Sequence, residues 1–131
     1  MPKLTLSNPH ELLVRLHWVA ILYGHVRADL AVTGGVHGSA QVLKAMMAGA
    51  RVAMMTSALL ERGIRHLGTV RAQMLAWMEA HEYESIEQMQ GSMSYRSVRE
   101  PAAFERANYM KVLSSYALPA GGGDRAADRP A

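Results

Sequence analysis

Four residues in two loops have the types and the spacing to hold an anion. Thr33-Gly34-Gly35-Val36 closes one short apolar run, and Met55-Thr56-Ser57-Ala58 closes another. Gly34 and Gly35 let the backbone come close to an anion and direct its N–H groups at it. Thr56 and Ser57 stand where a helical turn begins. There the N–H groups of Ser57 and Ala58, the Ser57 hydroxyl and the helix dipole all favour a phosphate. Either loop alone is unremarkable, since Gly-Gly is an ordinary strand-to-helix turn and Ser57 an ordinary cap. Two such loops on successive strands are how a (β/α) barrel holds a phosphate at its last two strands.

Other chemistry finds little support. The six histidines, His10, His17, His25, His37, His66 and His81, show no His-Glu-x-x-His and no paired acidic ligands, so no metal site is expected. His37 lies beside the Gly-Gly loop, within reach of a ligand, although a histidine there is more often an exposed loop residue. No Ser-His-Asp order or nucleophile elbow is visible. The ten methionines fall mostly at helix-core positions and read as packing. Lys44 and Lys111 read as solvated, and no residue stands out as a general base.

The 131 residues suffice for one domain, and half of them are apolar. The net charge is +3, with Arg dominant over Lys but no run of basic residues, which argues against nucleic acid as a partner. There is no cysteine, which removes disulfides, thiolate metal sites and thiol catalysis together. The apolar run Val19-Ala20-Ile21-Leu22-Tyr23 is far too short to cross a membrane. The N-terminus lacks an apolar signal segment, so a cytoplasmic protein is expected.

The elements that must position the two loops follow from local signals. Asn8, Pro9 and Glu11 predict a capped helix start, and Gly24 its stop. Leu12, Leu13, Leu16, Val19 and Tyr23 give that helix an apolar face, broadened by Val14, Trp18 and Leu22. A strand is expected over Ala28 to Thr33, then a helix over Ala40 to Ala48 capped by Ser39 and closed by Gly49. Val52 to Met55 reads as a second strand, unbroken in apolar character and so buried on both faces. The spacing between the strands suits a right-handed parallel crossover. A helical turn over Ser57 to Glu61 ends at Gly63. A longer helix over Arg65 to Glu82 carries Leu67, Val70, Met74, Leu75, Trp77 and Met78. Glu79, Glu82, Glu84 and Glu87 make an acidic, solvated surface. Ser85 and Gln88 suggest a second capping box, Ser92 to Glu100 a polar loop, and Pro101 the start of a last helix. The Pro- and Gly-rich end, 118–131, is expected to be disordered.

Two strands of this kind expect a wider sheet, since a closed barrel needs eight strand–helix units. The residues around the loops resemble the end of the FMN-dependent dihydroorotate dehydrogenase family. The resemblance runs through Ala31-Val32-Thr33-Gly34-Gly35-Val36, Val42 to Ala50, and Thr56-Ser57-Ala58-Leu59-Leu60 with Gly63. Its dihydroorotate dehydrogenase-like branch is similar also at Leu6-Ser7-Asn8-Pro9-His10-Glu11-Leu12, Trp18 to Leu22, His81-Glu82-Tyr83-Glu84-Ser85, Gly91-Ser92-Met93-Ser94 and Ala107-Asn108-Tyr109-Met110. The likeness covers Leu4 to Tyr116. The Gly-Gly and Ala-Gly-Ala pieces are shared by many flavin barrels, and the Glu-Tyr-Glu-Ser and Gly-Ser-Met pieces are more specific.

The resemblance implies an α/β fold, the C-terminal portion of a (β/α)8 barrel with residues 1–117 forming its FMN-phosphate end. It implies oxidation of dihydroorotate to orotate, a step of pyrimidine biosynthesis, in which a base takes a proton and hydride passes to the flavin. Gly34, Gly35, Thr56 and Ser57 correspond to the family's FMN-phosphate residues. Thr56 stands where the family has glycine, and Ser57 keeps the hydroxyl of the family's threonine. The family's catalytic base, a Cys or Ser on an earlier loop, has no counterpart here. The chain starts near the end of the sixth strand, so the expectation is a fragment inactive alone. A homo-oligomer or a complementing chain would complete the sheet. The alternatives are a non-catalytic phosphate- or nucleotide-binding half-barrel that self-associates, and a scaffold with vestigial loops. A Gly35→Asp change is expected to separate the scaffold from the binding readings by repelling an anion.

Overall fold

In the computed structural model, residues 4–97 are described. A 3-10 turn at Pro9–Glu11 leads into helix α1 (Leu12–Leu22), then β1 (Ala31–Thr33), α2 (Ser39–Ala48), β2 (Val52–Met54), α3 (Ser57–Arg62), α4 (His66–Ala80), α5 (Ile86–Met89) and a 3-10 turn at Tyr95–Ser97. The fold of these residues is mixed α/β. The helix expected from Pro101 and the tail expected at 118–131 lie outside the described residues.

The first turn is built as its sequence dictates. The Asn8 side chain accepts from the His10 N–H at 3.0 Å, and Glu11 Oε1 accepts from the Asn8 N–H at 3.0 Å. This reciprocal pair is a capping box, with Pro9 where its missing N–H costs nothing. The second box does not form. Gln88 Oε1 accepts from the Glu84 N–H at 2.8 Å, and the Ser85 side chain caps nothing.

β1 and β2 pair in parallel, with Ala31, Val32 and Thr33 opposite Val52, Ala53 and Met54. Paired residues share a face, so Val32 and Ala53 turn to the helices while Ala31, Thr33, Val52 and Met54 turn away. Val52 is 48% and Met54 45% exposed. Burial of β2 on both faces is therefore not what the structure shows. Helices cover one face of the sheet, and none among the described residues covers the other.

Two apolar clusters meet on α2. Ala45, Ala48 and Ala50 pack with Leu12 and Val19 of α1 and with Val32. The small side chains let α1 and the sheet approach α2 closely. On the other flank, Leu43 and Met46 pack with Met78 of α4 and Met89 of α5. The unbranched methionines adapt to this irregular junction. The apolar face of α1 is buried only along a narrow stripe, and Leu13, Val14 and Trp18 are exposed. On α4, Leu67 and Leu75 are likewise exposed.

The stretch read as a polar loop after Gly91 returns to the core, burying Ser94 and Tyr95. It also completes the end of α2, whose last carbonyls have no partners within the helix. The Gly91 N–H donates to Met46 O at 3.0 Å and the Met93 N–H to Met47 O at 2.9 Å. The Gln90 side chain donates to Ala50 O at 3.2 Å. The Tyr23 ring lies against two glycines here. A Cβ would stand 2.4 Å from Tyr23 Cδ2 at Gly49 and 2.1 Å from Tyr23 Cε1 at Gly91.

Candidate functional site

Parallel pairing brings the C-terminal ends of β1 and β2 side by side, and with them the two loops. Gly34, Gly35, Thr56 and Ser57 line one cleft of about 160 Å³, together with Ser7, Thr33, Val36 and Met54. All four residues singled out in the sequence therefore meet in one place.

Their individual roles differ from the expectation. Gly34 and Gly35 both have positive φ, 84° and 79°, a region that favours glycine. Gly35 is also where two backbones touch: a Cβ there would lie 2.6 Å from the Leu12 nitrogen and 3.0 Å from the Asn8 oxygen. Its N–H donates to Ser7 Oγ at 3.3 Å rather than into open space. Gly35 thus joins the loop to the first turn. Gly34 packs against Arg15, whose guanidinium carbon would stand 2.9 Å from a Cβ at that position. Arg15 also bonds the Glu11 carbonyl and lies 3.8 Å from the Glu11 carboxylate.

On the second loop, Thr56 has φ −125°, so glycine is not required there. The first bond of α3 runs from the Leu59 N–H to Thr56 O at 3.0 Å, downstream of the Ser57 and Ala58 N–H groups. With six residues α3 is under two turns long, and its dipole adds less than the sequence reading supposed. Hydroxyl and N–H donors must supply most of any attraction.

Ser7 is the residue that the sequence reading did not place in the site. Its N–H donates to Ser57 Oγ at 3.1 Å and its hydroxyl to the same atom at 2.9 Å. It therefore ties both loops to the chain before α1. Its local sequence, Ser7-Asn8-Pro9, signals a helix start and nothing more; the resemblance over Leu6 to Leu12 was the only signal available.

His37 is 8% exposed, not the exposed loop histidine expected. Its Nε2 lies 3.4 Å from Ser7 Oγ. Its carbonyl accepts from His66 Nε2 at 2.8 Å, which fixes a proton on that nitrogen. The cleft is lined by hydroxyls, backbone and apolar groups, with no carboxylate. Such a lining can bind an anion and offers no general base. Among the described residues no cluster of three or more His, Asp or Glu could hold a metal ion, and no helix is long and apolar enough to cross a membrane. Compared with known proteins, the sequence matches no protein-family model and no curated protein.

Proposed function

We propose that the chain is the C-terminal part of an FMN-dependent dihydroorotate dehydrogenase-like oxidoreductase and supplies the phosphate end of the flavin site. The observation that carries this reading is the shared cleft. Gly34, Gly35, Thr56 and Ser57 meet at the C-terminal ends of neighbouring parallel strands, where such barrels bind phosphate. The two strands and their helices are the last two units of the barrel in this reading.

The cleft suits an anionic headgroup. At about 160 Å³ it is well below the ~300–1,000 Å³ of pockets that bury a whole small ligand. The Ser57 hydroxyl and N–H group are the donors for the phosphate, beside Gly34, Gly35 and Thr56. The isoalloxazine ring and dihydroorotate would be held by other parts of the barrel. Bound FMN supplies the hydride acceptor of the reaction. This chain's own part is to fix the phosphate and so orient the cofactor. Alone it is expected to show no dihydroorotate oxidation.

The test is a fluorescence titration of the purified chain with FMN, with riboflavin as the control that lacks the phosphate. Saturable binding of FMN but not of riboflavin supports the reading. Equal or absent binding of both refutes a working phosphate site.

A second reading, a non-catalytic phosphate-binding half-barrel that self-associates, is favoured by the open sheet face. Val52 and Met54 lie exposed on it, and among the described residues the two parallel strands leave both sheet edges unpaired. A stable dimer or larger ring in solution, with FMN and riboflavin distinguished but no turnover on addition of other barrel segments, would favour this reading over the first.

A further inference from the structure

Beside the cleft, the buried His37 lies against a short chain of hydroxyls. A serine hydroxyl has one proton to donate and two lone pairs to accept with. Ser7 Oγ spends one lone pair on the Gly35 N–H at 3.3 Å. Its other lone pair and its proton are shared between Ser57 Oγ at 2.9 Å and His37 Nε2 at 3.4 Å. The proton on His37 decides the division.

When His37 carries a proton on Nε2, the ring donates to Ser7 Oγ. Both Ser7 lone pairs are then filled, and its O–H turns to Ser57. Ser57 Oγ accepts that O–H and the Ser7 N–H at 3.1 Å, which fills its own lone pairs. The Ser57 proton is left for the cleft that the residue lines. When the proton sits on Nδ1 instead, Nε2 draws the Ser7 O–H. Ser57 then donates back to Ser7 and presents a lone pair to the cleft, which repels an anion. The imidazolium form donates from both nitrogens, locks the first arrangement and places a positive charge behind it.

We infer that His37 is a positioning residue that sets Ser57 as donor or acceptor, so that the cleft selects an acceptor-only oxyanion such as a phosphate dianion or sulfate. This rests on the phosphate-site reading above and adds its selectivity. Among the described residues three other titratable or charged groups approach the cluster. His66, from α4, donates to the His37 carbonyl at 2.8 Å, a bond that its protonated form keeps. Arg15, from α1, lies against Gly34 and is offset by Glu11 at 3.8 Å.

The test is sulfate binding followed by amide chemical shifts, with long-range proton–nitrogen spectra of the imidazoles of the unaltered chain in the same samples. Saturating sulfate should leave His37 with a proton on Nε2, the form that turns the Ser57 proton to the cleft. A complex in which His37 carries its proton on Nδ1 alone overturns the inference and leaves the phosphate site standing. No saturable binding removes both.

Discussion

Replacing Gly35 by alanine tests whether this residue serves the ligand or the fold. Its φ of 79° is one that an L side chain rarely adopts, and left-handed backbone costs roughly 1–2 kcal/mol for a residue with a Cβ. The added methyl would also stand 2.6 Å from the Leu12 nitrogen and 3.0 Å from the Asn8 oxygen. Those are backbone atoms of the capped first turn and cannot swing aside like a side-chain end. Overpacking of this kind costs about 1–3 kcal/mol. The total, roughly 2–5 kcal/mol, is a large part of the ~5–15 kcal/mol that holds a domain folded. Gly34 supplies the control. Its φ of 84° is close, and a Cβ there would meet only the far end of the Arg15 side chain, which can swing aside. Gly34→Ala should therefore show little beyond the torsional cost. Urea unfolding followed by tryptophan fluorescence measures both. With a slope near 1–2 kcal/mol per molar, an excess of 1 kcal/mol at Gly35 moves the midpoint by about 0.5–1 M. Equal midpoints for the two variants would refute the packing argument and return Gly35 to the ligand. The same contact makes Gly35→Asp a poor probe of anion repulsion, because its carboxylate arrives on a side chain that the site cannot hold.

Ser57→Ala is the cleaner test of binding. It should weaken FMN by about tenfold or more, the worth of a hydrogen bond to a charged group, and leave riboflavin unchanged; an unchanged FMN titration contradicts the donor role of the hydroxyl. Met89 is fully buried between α2 and α4, so Met89→Ala should cost about 2–5 kcal/mol in urea unfolding, and a loss under 1 kcal/mol would mean that the second cluster is not packed as described. Val52→Lys places a charge on the open sheet face. It should leave the unfolding of a lone chain within about 0.5 kcal/mol and dissociate any assembly formed over that face, as read by light scattering; an assembly that survives it uses another surface.

How far the molecule can be read from its sequence depends on the reach of each signal. The start at Asn8 and the stops at Gly49 and Gly63 were legible, because caps and positive-φ glycines act within a few residues. Ser39, expected to cap α2, is instead its first residue and donates to Gln73 Oε1, with Gly38 at the cap position. The strands were found but read as longer than they are. Apolar patterning says which residues can be buried and not whether anything is there to bury them. Val52, Met54, Trp18, Leu67 and Leu75 are all exposed for that reason. The Ser85–Gln88 pair has the spacing of a capping box, yet Gln88 reaches one residue too far back and bonds Glu84 instead. The four cleft residues were legible because each marks the end of its strand. Ser7 was not, because its partners Gly35 and Ser57 are 28 and 50 residues away and nothing local announces them. Tyr95 was hidden between the polar Ser94 and Arg96, in a stretch whose Gly91 and Met93 N–H groups complete α2.

The Tyr23 ring between Gly49 and Gly91 bears on the order in which this sequence can drift. Both glycines have positive φ, 120° and 73°, and both would press a Cβ into the ring. The torsion alone would admit asparagine at Gly91, which tolerates the left-handed region; the ring forbids it. A smaller residue at position 23 removes that obstacle and by itself leaves a cavity. The three positions are therefore ratcheted together. A change at Gly91 is harmful in the present background and tolerable only after position 23 has shrunk. A lineage that enters by the glycine first meets a barrier that a lineage entering by the tyrosine does not.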